Sequence, residues 1–399
     1  MRWLAWLLAP TCLLLSACGP APEPPPAEVA EVPAPEAIAV RFATYNTSLY
    51  DEADGGLIAR LEEGDENARK IASVLQLMRP DVVLLNEFDY DDAERAAELF
   101  QRRYLEVPQA GLAPIRYDWR YSAPVNTGEP SGLDLDNDGR SDGPNDAWGY
   151  GKHPGQYGML VLSRYPIDGA SVRSFQHFLW KDLPAARRPI NPDGTPWNED
   201  AVWQQLRLSS KSHWDVPIRT ALGTVHLLAS HPTPPVFDGP ERRNLARNAD
   251  EIALWSHYLS GAELPWLCDD RGTCGGLAAG ARFVLAGDLN ADPDDGDGDH
   301  AVIAALEADP RVDSGFTPRS EGAAEVAARY GFERRGDVRA HTGDCGPRTG
   351  TLRIDHLLPS KGFSLRDGGV FWPREGEPGY AWTLASDHHL VWLDLADPD

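Results

Sequence analysis

Several apolar runs in the 399-residue chain stop on a residue that can hold a cation, move a proton or bind phosphate. Asn46 follows "FATY", Glu87 follows "DVVLLN", His231 follows "HLLAS", Asp288 and Asn290 follow "FVLAG", Asp355 follows "LRI", and Asp387 and His388 precede "HLVWLDL". Carboxylate and amide oxygens are hard ligands suited to Mg2+ or Mn2+, which activate water and polarise a phosphoryl oxygen. Histidines beside them can donate hydrogen bonds to phosphate or shuttle protons. Taken singly, Asp and Asn after a strand are ordinary turn and cap residues. Glu87 is harder to explain that way, because a carboxylate at the end of an apolar run requires a partner or a cation.

The elements that must position these residues alternate between two periodicities. "RFATYNTSLY" and "PDVVLLNEF" read as strands, and "NARKIASVLQLM" between them has helical apolar spacing at Ile71, Val74, Leu75 and Met78. Further strands are expected at "YGMLVLSRY", "GTVHLLASHP", "ARFVLAGDL", "TLRIDHLLPS" and "HHLVWLDL", with a helix over residues 241–259. An α/β fold follows. Residues 111–156 and 175–218 lack clear periodicity and are rich in Pro, Asp, Asn, Trp and Gly, so they read as insertions forming rims or lids. Trp119, Trp148, Trp180, Trp197, Trp203 and Trp214 fall in these stretches, as core residues or as lining of a substrate rim.

In this order the motifs resemble those of the endonuclease/exonuclease/phosphatase superfamily, typified by deoxyribonuclease I and exonuclease III. The matching segments are the strand with Asn46, "LLNE" with Glu87, "LVLSRYPI", "SHPTPP" with His231, "GDLNA" with Asp288 and Asn290, "RIDH" with Asp355, and "SDHH" with Asp387 and His388. The resemblance implies a four-layer α-β-β-α sandwich of two mixed sheets. It implies that Glu87, with Asn46 and Asp387, holds Mg2+ or Mn2+, and that Asp288 orients or deprotonates the attacking water while Asn290 places the phosphate. Asp355 would orient His388, which stabilises charge growing on the phosphoryl oxygens, and His231 would assist the leaving oxygen. No acidic partner for His231 is evident in the sequence. "LLNE" stands where "LLQE" is usual, and "SDHH" adds His389.

"DLDNDGRSDGPND" opens like a calcium loop, with Asp134, Asp136 and Asp138 at alternate positions and Gly139 next. Asn145 occupies the twelfth position, where a bidentate Glu is expected, and no flanking helices are evident. Ca2+ at a separate structural site and a solvated turn are both open readings. Asp292 to His300, the acidic tail after "GDLNA", reads as a solvated loop at the rim.

The remaining features concern location. Residues 1–17 read as a lipoprotein signal peptide, with Leu15-Ser16-Ala17-Cys18 resembling a bacterial lipobox and Cys18 as the lipidation site. Residues 18–38, rich in Pro, Ala and Glu, form a tether to one domain over 39–399. An outer-membrane anchor on either face, or secretion if Cys18 is not lipidated, is expected, with no contact to membrane beyond the lipid and no protein partner inferred. In that oxidising setting Cys268 and Cys274 can close a small disulfide loop, leaving Cys345. A formal charge of -24 excludes a surface that holds nucleic acid by bulk phosphate attraction. The functional expectation is a metal-dependent phosphoesterase acting on small organic phosphates or nucleic acid. The alternative is a non-catalytic, calcium-dependent surface binding protein on the same fold.

Overall fold

The computed structural model describes residues 39–261 and 263–398. The expected signal peptide, the tether and Cys18 lie outside them. The first strands are β1 (Ala39–Leu49), β2 (Val82–Phe88), β3 (Trp119–Tyr121) and β4 (Met159–Ser163). They are followed by β5 (Arg173–Ser174), β6 (His213–Thr220), β7 (Gly223–Ser230) and β8 (Arg282–Asp288). A short ribbon of β9 (Gly343–Asp344) and β10 (Thr351–Leu352) precedes β11 (Asp355–Pro359), β12 (Ser364–Val370) and β13 (Val391–Ala396).

Two mixed sheets result, ordered β12-β13-β1-β2-β4-β3 and β11-β8-β7-β6-β5. Alternation along each strand divides its side chains between two cores. Val82 and Leu84 of β2 join Val216, Leu227, Val284 and Leu357 of the other sheet in one cluster, which is the layer between the sheets. Val83 and Leu85 point the other way, into a second cluster with Leu57, Leu61, Ile71 and Leu75 of the helices Gly56–Glu63 and Glu66–Met78. A third cluster packs Leu228, Phe283 and Leu285 against Ile252 and Trp255 of the helix Arg243–Leu259. Each fully buried aliphatic side chain is worth about 1.5–3 kcal/mol relative to exposure, so a shift of one residue in register would transpose these layers at large cost. The four-layer α-β-β-α sandwich is therefore written into the parity of the strands.

Local signals set the element ends. Asp65 caps the helix Glu66–Met78 by accepting from Ala68 N at 2.6 Å. That helix stops at Arg79, in the left-handed region at φ 49°, just before Pro80. Cys268 and Cys274 are joined by a disulfide, and Cys345 is free.

Two expectations about the strands need correction. The stretch 175–218 is not wholly an insertion, since from His213 it is β6, paired along its length with β7. Pro217 and the polar residues before it hide that strand from a periodicity argument, and burial on both faces is what supports it. The expected strand over "TLRIDHLLPS" is two strands: β10 pairs with β9, whereas β11 pairs with β8. Among the described residues no helix is long and apolar enough to cross a membrane.

Candidate active site

The site lies where the ends of both sheets meet. Parallel pairing of β1 with β2 brings Asn46 level with Asn86, and a register shift just beyond Asn46 lets the chain turn. In the second sheet, antiparallel pairing of β8 with β11 makes Asp288 and Asp355 register partners. Side chains then join the two ends. Asn46 Nδ2 donates to Asp288 Oδ2 at 3.1 Å, and Asp288 N donates to Asn86 Oδ1 at 3.2 Å. Ser48, Glu87 and Asn290 all have left-handed backbone, at φ 48°, 53° and 51°. Such conformations are costly for non-glycine residues and persist where surrounding contacts impose them, commonly at functional sites.

Asp288 is the centre of the arrangement. His231 Nε2 stands 3.4 Å and His388 Nε2 3.6 Å from the same Oδ2 that receives Asn46, and Oδ1 accepts from Asn290 N at 2.9 Å. His388 Nδ1 pairs with Asp355 Oδ2 at 2.8 Å, and Thr342 Oγ1 donates to that oxygen at 2.7 Å. Asn290 donates its amide to Pro232 O at 3.1 Å, which ties the strand end to the loop carrying His231. Asp387 lies at the rim with its side chain largely exposed. Ser48 Oγ donates to it at 3.3 Å, and His388 Nε2 is 4.0 Å away.

Burial and charge push the two histidines in opposite directions. Burial, aided by the Lys211 ammonium, lowers His231 to about 4, so it is neutral near pH 7. Burial also opposes protonation of His388, but the carboxylates of Asp355 and Asp288 outweigh it and hold the imidazole well above its ordinary value. Asp288 is pressed upward by burial and more strongly downward by His388 and His231, which keeps it ionised far into acid. Burial raises the Glu87 carboxyl, against the pull of His388 and Asn46. One ligand atom each from Glu87, His231 and Asp288 lie within 4.8 Å of one another, a donor set of two carboxylates and an imidazole that fits a divalent cation.

All the residues expected from the strand ends therefore meet in one place, although Asp387 stands outside the close set of Glu87, His231 and Asp288. Other contributors are not evident from motif spacing. Asn86 reads as a conservative change beside Glu87, yet its amide bridges the two sheets, with Nδ2 reaching Ser230 O at 3.5 Å. Lys211 sits in the aperiodic "SSKSH" and is buried facing Glu87, Asp288 and Glu251, and burial lowers its ammonium. Its place in the core is set by Glu251, which accepts from Ser210 N at 2.5 Å and Thr233 N at 2.7 Å. The carboxylate near His231 is Asp288, which faces Nε2, while His231 Nδ1 has no hydrogen-bond partner among the described residues.

A cavity of 520 Å³ opens from Glu87, Lys211 and His231. Its walls include Leu135, Trp180 and Leu206 from the aperiodic stretches, Phe237 from the loop after β7, and Arg243 and Arg247 of the helix Arg243–Leu259. Trp180 is the tryptophan that lines it; Trp214 is wholly buried between the sheets, and Trp119 is exposed.

The family model described as the Endonuclease/Exonuclease/phosphatase family matches residues 43–388. The chain belongs to this family. Members of the endonuclease/exonuclease/phosphatase family generally hydrolyse phosphoester bonds and typically use divalent metals. Among solved structures, an endonuclease/exonuclease/phosphatase from Beutenbergia cavernae aligns at 19% identity and TM-score 0.50, over 90% of this chain and 72% of its own. A family protein from Leptotrichia buccalis aligns at 13% identity and TM-score 0.46, over 90% and 99%. Sphingomyelinase C from Streptomyces griseocarneus aligns at 17% identity and TM-score 0.45, over 90% and 100%. The first of these likenesses shows the shared fold. No curated protein matches the chain by sequence.

Elsewhere, Asp134 and Asp136 come together with Asp146, one ligand atom each within 4.8 Å. Asp138 is not of this group and instead accepts from Arg140 N at 2.8 Å. Asn145, at the twelfth position, donates to Asp136 Oδ2 at 2.9 Å. The reading of 292–300 as a solvated loop holds for the exposed Asp294, Gly296 and Asp297 but is corrected at Asp292 and Asp295, which are both buried. Backbone N–H groups facing inward draw these carboxylates under the surface, which residue type alone does not reveal.

Proposed function

We propose that this chain is a divalent-metal-dependent phosphoesterase that acts outside the cytoplasm on small phosphate esters. The observation that carries the proposal is the convergence on Asp288 Oδ2 of Asn46, His231 and His388, three groups from separate strand ends. Glu87, with Asn46 and Asp387 or with Asp288 and His231, would hold Mg2+ or Mn2+. When bound, such an ion supplies Lewis acidity toward the phosphoryl oxygen and lowers the pKa of a water.

The chain's own residues account for the rest. Ionised Asp288 orients the attacking water and accepts its proton. His388, kept protonated by Asp355, donates to the phosphoryl oxygens as their charge grows. Asp355 fixes the orientation of that ring, and Thr342 in turn holds Asp355. His231, on the other flank of Asp288, assists the departing oxygen. One amide N–H of Asn290 anchors the His231 loop, and its second is the group that would meet phosphate. The organic part of the ester would occupy the adjacent cavity, whose size suits a small molecule rather than a duplex. Its mixed lining of apolar side chains with buried Lys211 and partly buried Arg243 and Arg247 supports an anionic ester with a compact apolar substituent.

Export and lipid attachment through Cys18 are part of the same proposal, supported by the signal-like N-terminal sequence. We also assign Ca2+ to Asp134 and Asp136, with Asp146 as their third carboxylate. The deciding experiment incubates purified protein with bis-p-nitrophenyl phosphate, p-nitrophenyl phosphate, further small esters and plasmid DNA, with Mg2+, Mn2+ or chelator. Chelator-sensitive release from the small esters is expected. Inertness toward the whole panel would favour the calcium-dependent binding protein instead.

A further inference from the structure

Behind the catalytic edge lies a second cluster that the phosphoesterase reading does not use. Asp292, Asp295 and His341 are 5%, 6% and 1% exposed, and one ligand atom from each lies within 4.8 Å of the others. Backbone N–H groups orient the carboxylates. Asp292 Oδ1 accepts from Asp294 N at 2.8 Å and Asp295 N at 2.9 Å, and its Oδ2 accepts from Arg353 N at 2.7 Å. Asp295 accepts from Arg335 N at 3.1 Å and Gly336 N at 3.0 Å. These dipoles aim the oxygens; of the cations nearby, Arg334 acts on Asp295 through space and the Arg335 guanidinium approaches it only to 3.9 Å from an exposed position, so the two buried carboxylates have no close ion pair among the described residues.

The imidazole supplies the independent observation. His341 Nδ1 pairs with Thr351 Oγ1 at 2.7 Å, whereas Nε2 is buried and has no hydrogen-bond partner among the described residues. An imidazole clustered with two buried carboxylates, with one nitrogen held by Thr351 and the other buried without a partner among the described residues, has the chemistry of a ligand whose tautomer is set by its other nitrogen.

We propose that Asp292, Asp295 and His341 Nε2 form a second divalent-cation site, separate from the one at Glu87, for an ion such as Zn2+ or Mn2+ that accepts imidazole and carboxylate together. Its role is positional. Asp292 follows Asn290 by two residues, His341 precedes Thr342, and Arg353, which donates its N–H to Asp292, stands two residues before Asp355. An ion here staples the two segments that carry Asp288 and Thr342, and the Asp355 segment is tied to the same carboxylate through the Arg353 N–H.

The test removes the first site and reads the second without measuring turnover, so it is independent of whether the phosphoesterase reading holds. Full-length Glu87→Gln/Asp136→Ala protein, which lacks both the Glu87 site and the Asp134 and Asp136 site, is stripped with chelator, titrated with Co2+ and followed by visible absorption and equilibrium dialysis. One bound equivalent with a ligand-field band is expected, and both should be lost when His341→Phe is added to this parent. Should the triple variant fold poorly, paramagnetic proton NMR of the Glu87→Gln/Asp136→Ala protein replaces it, with strongly shifted His341 ring protons expected on Co2+ addition. Absence of binding in the Glu87→Gln/Asp136→Ala protein, binding indifferent to His341→Phe, or unshifted His341 protons would overturn the proposal.

Discussion

Asp288 and Asp355 face each other across β8 and β11 as register partners, and His388 reaches both, with Nδ1 2.8 Å from Asp355 and Nε2 3.6 Å from Asp288. Two carboxylates about one imidazole keep that ring protonated and Asp288 ionised. Asp288 as proton acceptor and His388 as proton donor thus stand side by side where the two sheets meet.

Substitutions in this arrangement should abolish turnover while leaving the fold intact. Asp288→Ala and His388→Ala are each expected to lower kcat on the best small ester by about 100-fold or more. Glu87→Ala should do the same and raise the Mg2+ concentration needed. Steady-state kinetics alongside circular dichroism check this, and near-normal turnover of a folded variant would remove that residue from the mechanism.

Stability should depend on pH with opposite signs at the two histidines. His388 titrates in the folded protein above its unfolded value, so its contribution is complete below about pH 6.5 and fades as pH rises through the folded value. His231 titrates at about 4 when folded, so stability is lost as pH falls from about 6.5 toward 4. His213, lowered to about 4, and His389, lowered to about 3, both by burial, add to the same acid loss. Melting curves should show the gap between parent and His388→Gln narrowing in alkali, and His231→Gln losing less stability between pH 6.5 and 4 than the parent. Slopes of the reverse sign would contradict the assigned protonation states.

Asn86→Ala should destabilise the protein by about 1–3 kcal/mol, because the buried Asp288 N–H loses its acceptor. Urea denaturation measures this. Asn86→Gln is expected to keep stability closer to the parent yet slow turnover, since the longer side chain displaces Asp288; equal kcat in both would show that the bridge does not position the site.

Calcium should raise the melting temperature of the parent, and Asp136→Ala should remove that response without affecting hydrolysis in Mg2+. Asp138→Ala should leave it largely in place, because Asp138 is outside the cluster with Asp134 and Asp146. A parent protein indifferent to calcium would eliminate this site.

The polar residues at the strand ends, the parity that buries alternate faces and the order of motifs that marks the family are all legible along the chain. These are local properties: period, chain order and side-chain chemistry are all carried by neighbours along the chain. What the sequence could not display were contacts made at long sequence distance. Lys211 is unremarkable between polar residues, and only burial against Glu87, Asp288 and Glu251 gives it electrostatic weight. Asn86 became a bridge because two sheets pack face to face, and β6 was hidden because Pro217 and its polar start break a pattern that two-sided burial does not need. The run from Asp288 to His300 shows the same division. Its first residues announce chemistry in sequence, whereas the tertiary structure alone turns Asp292 and Asp295 inward to meet His341, because inward-facing backbone N–H groups can draw buried carboxylates from what reads as an ordinary solvated loop.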